Sequence, residues 1–150
     1  MAARRTSRRP PPSDETARVR HLLALDAANV MARLRARQDE MVTLFSRLRD
    51  RGPLVETVRC WFTSISFGEL ALLSPAEQLA ANSFYELLGE VRWYLQYTED
   101  MPGQVQARLG AHVRKLEERH AALVAAIGPP DASGAPVVNA EVIRPRGRKG

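Results

Sequence analysis

The spacing in this chain closest to known chemistry is Glu117-Glu118-Arg119-His120. It contains E-x-x-H at i and i+3, which helical di-iron sites use. Such sites need a second E-x-x-H and two further inward carboxylates. Only Glu86 and Glu90 are placed to supply them, so no metal or cofactor is expected. The histidines are His21, His112 and His120. The last two share a helical stretch but point about 80° apart around it. No strand-turn-helix elbow joins a serine to a histidine and an acid. None of the nine glycines forms a phosphate-cradling loop. The single cysteine, Cys60, excludes an internal disulfide and a four-ligand zinc site built on several thiolates. These absences point away from an enzyme.

Charge is informative once it is located. The chain has 150 residues and a formal charge of +5. Arg4, Arg5, Arg8 and Arg9 form one cationic end, residues 1–12, with no acid. Arg144, Arg146, Arg148 and Lys149 form the other. Between them lie 14 basic and 17 acidic side chains, so the middle is mildly acidic. The expectation is a pair of disordered cationic arms on a mildly acidic body, rather than a folded basic face. Arg33, Arg35, Arg37, Arg47, Arg49 and Arg51 are interspersed with Asp39, Glu40 and Asp50, as on a solvated, salt-bridging surface. The aromatic residues Trp61, Phe62, Phe67, Trp93, Tyr94 and Tyr97 read as one packing cluster. They are not interleaved with cations, so a base-stacking platform is not expected.

The elements that position these residues are helical. Ser13 reads as an N-cap with Asp14 and Glu15 in the first turn. The first helix then meets no Gly or Pro until Arg51-Gly52-Pro53, about 38 residues and about 57 Å on. Leu23, Ala27, Val30, Leu34, Arg37, Met41, Leu44 and Leu48 follow 4-3 spacing, a coiled-coil-like seam that only Arg37 interrupts. Residues 54–65 fit a helix face through Leu54, Val55, Val58, Trp61, Phe62 and Ile65, although their β-branched content also suits a strand. Ser66 with Glu69 and Ser74 with Glu77 each spell a capping box, the second with Pro75 in the first turn. Ala80, Phe84, Leu87, Val91 and Tyr94, widened by Leu88 and Leu95, predict a helix to about Glu99. Leu109, Val113, Leu116, His120, Leu123 and Ile127 predict the last, which Gly128-Pro129-Pro130 ends.

The predicted fold is all-α: an antiparallel bundle of long helices over residues 13–128, with disordered basic tails. With 45% hydrophobic residues, such a chain can bury a core. No apolar run is long enough to span a membrane. The N-terminal arginines are not followed by an apolar stretch, so a cytoplasmic location is expected. An overlong first helix would leave part of its seam uncovered. Leu23, Val30, Leu34, Arg37, Met41, Leu44 and Leu48 therefore form the expected oligomer seam, with a homodimer favoured.

The last 22 residues, 129–150, read as a spacer, a short apolar segment and a basic tip. Val137, Val138, Val142 and Ile143 are too few for a core but enough to dock on a partner protein. Arg144, Arg146 and Arg148 would steer that encounter. The function these features join into is a non-enzymatic scaffold or adaptor. The alternative is non-specific phosphate binding by the arginine-rich tails of a nucleic-acid-associated protein. Salt separates the two. If the tails clamp phosphate, anisotropy of labelled duplex DNA with the full chain falls steeply as salt rises, and a 13–128 fragment binds neither DNA nor RNA. A shallow slope, or equal binding by the fragment, removes the phosphate reading.

Overall fold

The computed structural model describes residues 14–130. Three long helices dominate: α1, Asp14–Phe45; α4, Pro75–Tyr97; and α5, Pro102–Ile127. Between the first two lie α2, Gly52–Thr57, a 3₁₀ turn at Phe62–Ser64, and α3, Phe67–Leu70. The all-α expectation holds for these residues. No helix among them is long and apolar enough to cross a membrane.

Cross-links between side chains fix the directions. Arg20 pairs with Glu77, Asp26 meets Tyr85, and Phe45 stacks on Tyr94, so α1 and α4 run parallel. Arg35 meets Glu117 and Arg119 meets Ser83, so α5 runs antiparallel to both. The long connection 46–74 must therefore return to the starting end of the bundle, and α2 packs between α1 and α4 on the way. The core is continuous along the helices. Leu23, Ala27, Val30 and Leu34 of α1, Phe84, Leu88, Val91 and Leu95 of α4, and Leu109, Leu116 and Leu123 of α5 are all buried in it.

Both capping boxes form. Ser66 accepts from the Glu69 N–H at 3.2 Å and Ser74 from the Glu77 N–H at 3.3 Å, and each glutamate bonds back to its serine N–H. Gly128 ends α5 with φ of 90°, a conformation that favours glycine.

Two expectations need correction. The first helix is 32 residues, not 38. Past Phe45 the chain tightens, with the Arg47 N–H reaching the Leu44 carbonyl. It then turns so that the Arg51 guanidinium sits 4.0 Å over the Phe45 ring. Asp50 takes the Gly52 N–H at 2.9 Å and starts α2. The oligomer seam is also reassigned. Leu23, Val30, Leu34 and Met41 are buried inside this chain, and Leu44 and Leu48 pack against the same core. Arg37 is exposed and pairs with Glu40. Shortening α1 and folding α2 against it covers the stripe that a partner was expected to cover.

Residues 54–65 are neither one helix nor a strand. The helix stops at Thr57, and the chain continues through a turn and one 3₁₀ turn to extended Ile65. Side chains of α1 hold the backbone groups that a longer helix would have paired internally.

Candidate functional site

Titratable groups gather at two places, one midway along α1 and α4 and one where α4 turns into α5. The first centres on Asp26 of α1, which is buried among apolar neighbours. One carboxylate oxygen accepts from the Tyr85 hydroxyl at 2.8 Å. The other accepts from the Trp61 backbone N–H at 3.0 Å. Two turns further along α1, Arg33 donates to the carbonyls of Thr57 and Arg59. One helix thus supplies an acceptor for a stray N–H and donors for stray carbonyls, and 57–61 is clamped without forming a longer helix. Phe62 then stacks on Tyr85, with centroids 4.0 Å apart and planes 3° from parallel. Burial first, and then the Asp26 charge, push the Tyr85 phenol far above its ordinary value. Burial likewise raises the Cys60 thiol. Chemically the cluster is closed. Both Asp26 oxygens are engaged, Tyr85 is kept neutral, and its task is to hold the connection to the bundle.

The second cluster sits where α4 turns into α5. Tyr94 donates to Asp100 at 3.0 Å, and Arg108 donates to both oxygens of the same carboxylate. Burial, reinforced by the Asp100 carboxylate, raises the Tyr94 phenol to about 12. The ring also stacks on Phe45, 5.4 Å away, and meets His112 at 5.3 Å. The end of α1, the 98–101 turn and α5 are thereby tied to one ring.

The E-x-x-H pair is drawn apart. Glu117 accepts from Arg35 at 3.0 Å across to α1, while His120 lies against Phe84. Glu86 and Glu90 line a different cleft with Lys115, Glu118 and Arg119. Among the described residues no group of three His, Cys, Asp or Glu side chains converges on a metal position. Burial, and then Arg35, lower His120 below the ordinary imidazole value; burial and Lys115 do the same to His112.

The arginines of α1 are largely committed. Arg20 pairs with Glu77 at 2.7 Å, Arg35 with Glu117, and Arg37 with Glu40, while Arg33 holds carbonyls; beyond the helix, Arg51 covers Phe45. The expected aromatic cluster is split. Phe62 and Tyr94 enter separate inner stacks, while Trp61, Phe67, Trp93 and Tyr97 are exposed. Helical phase explains part of the split. Trp93 and Tyr97 fall on the outer face of α4, whereas Val91, Tyr94 and Leu95 face inward.

Every tail residue expected to bind lies outside the described residues: Arg4, Arg5, Arg8, Arg9, Val137, Val138, Val142, Ile143, Arg144, Arg146 and Arg148. Asp26, Arg33, Tyr85 and Asp100 were missed as structural determinants. A signal for Asp26 was present, because it is an acid inside the Leu23–Ala27–Val30 stripe. No family model matches the sequence, and no curated protein or solved structure matches it either.

Two predictions follow from this geometry. Asp26→Ala leaves the Tyr85 hydroxyl and the Trp61 N–H without their acceptor and lowers stability by about 2–3 kcal/mol. Tyr85→Phe removes part of the same network, so in urea titrations the double variant loses less than the two single losses added. The second concerns pH. The folded-state values of His112 and His120 lie below the ordinary 6.5, so the unfolded chain binds protons first on acidification. Stability is full above pH 6.5 and falls as the pH drops from there toward the lowered folded values. The urea midpoint should fall through that window, and less so in His112→Asn/His120→Asn. An equal slope in both proteins removes the histidine assignment.

Proposed function

We propose that the chain is a non-enzymatic helical adaptor. Its body presents the outer face of α4 to another protein, and its terminal segments recruit partners from either end. The observation that carries this reading is the Trp93–Tyr97 pair. The rings lie 5.7 Å apart on successive turns, yet Trp93 is 63% exposed and Tyr97 69%. Met101, beyond the helix end, is also exposed. Large aromatics of this kind contribute heavily to protein contacts when they become buried. The other conspicuous side chains support the reading by elimination. Asp26, Glu77 and Asp100 are consumed in holding the bundle together.

Self-association belongs to the same proposal, moved from the α1 stripe to this face. A two-fold contact uses one patch twice, so a single aromatic pair on each copy meets its twin. The phosphate-binding alternative rests on the tails, because most arginines of α1 have partners within the chain. The cytoplasmic placement is part of the proposal too. It rests on the single cysteine.

The test is sedimentation velocity on the full chain and on Trp93→Ala/Tyr97→Ala. Both side chains stand in solvent, so helicity by circular dichroism should be unchanged. A dimer in the parent that becomes a monomer in the variant supports the face. Identical sedimentation of the two proteins as dimers places the dimer contact elsewhere, and two monomers remove the self-association.

A further inference from the structure

A second apolar surface lies between α3 and α4, on the flank of α4 away from α5. Phe62, Leu70, Ala71 and Ala81 line a groove of about 340 Å³ there. Phe67 stands at its edge, 93% exposed. The capping box of Ser66 and Glu69 fixes the turn that carries this ring, so its exposure is built into the fold. Gln78 donates to the Leu70 and Leu73 carbonyls and ties α3 to α4, which makes the groove a formed wall. At the rim, Asn82 is exposed.

The position of this groove suggests what covers it. Arg119 reaches Ser83 and His120 packs on Phe84, so α5 ends about two turns later, level with the first turn of α4. The groove opens at that same end, through Gln78, Ala81 and Asn82. Residues 128–136 can extend about 30 Å, well over the diameter of about 10–12 Å of the helix they must pass. Immediately beyond come Val137, Val138, Val142 and Ile143, and then Arg144. An apolar segment at the end of a tether of this length matches an apolar groove within its reach.

We propose that Val137–Ile143 docks in the α3–α4 groove of its own chain. The short tether keeps the segment at millimolar effective concentration, so weak apolar burial is enough to hold it. This inference does not depend on the Trp93–Tyr97 face, which lies further along α4.

Hydrogen exchange tests it on the full chain. In Val138→Asp/Ile143→Asp, amides of 67–72 and 78–82 should exchange several-fold faster than in the parent. Phe67→Ser should speed exchange of 137–143 while leaving helicity intact, because that ring packs mostly against solvent. A labelled peptide of residues 135–150 should bind the Val138→Asp/Ile143→Asp chain roughly tenfold or more tighter than the parent, whose own tail competes. Equal exchange in the parent and both variants overturns the proposal. So does protection that vanishes on dilution, since that assigns the groove to a second copy's tail.

Discussion

A carboxylate without water must find its hydrogen bonds inside the protein, and in this fold that carboxylate is Asp26. It lies on the buried face of α1, beside Leu23, Ala27 and Val30 of the stripe. Burying it unpaired would cost more than the bundle could readily spare. The connection between α1 and α4 brings the Trp61 N–H to one of its oxygens, and α4 brings the Tyr85 hydroxyl to the other. That solution shapes the connection. Residues 58–61 leave the helix, Phe62 turns onto Tyr85, and Arg33 collects the carbonyls left over.

The same constraint governs the direction of the helices. A short loop would have made α1 and α4 antiparallel neighbours. The clamped connection runs back along the bundle, so the two helices run parallel and α5 packs against both of them. At the far end Tyr94 has a matching role. It joins Phe45, Asp100 and His112, and so holds the end of α1, the α4–α5 turn and α5 together. Polar pins at Asp26 and at Tyr94, with an aliphatic core along the helices, make the body self-sufficient within one chain.

That self-sufficiency redirects the functional argument. The stripe that could have joined two chains is spent inside one. Apolar surface left outside includes Trp93 and Tyr97 on α4, and Phe67 beside the α3–α4 groove. The first is an aromatic pair with little cover from the described residues. The second lies within reach of a tethered apolar segment. An adaptor needs surfaces of this sort together with a body that keeps its shape when they are engaged.

The sequence alone determined the helices that have local punctuation. Ser66–Glu69 and Ser74–Pro75–Glu77 start helices through bonds three residues apart, and Gly128 stops one through its own backbone freedom. Periodic leucines and valines likewise identified most of the core of α4 and α5, because a helix repeats every 3.6 residues whatever it packs against. The tertiary structure decided the rest, for reasons that are non-local. Whether Leu23 and Leu34 face a second chain or their own depended on where residues 46–74 went. Whether 54–65 was a helix depended on Asp26 and Arg33, more than twenty residues earlier. Glu117 belonged to Arg35 rather than to His120 because a salt bridge spanned 82 positions. Local pattern sets which face of a helix is apolar; only the packed fold sets what that face, and the polar residues within it, will meet.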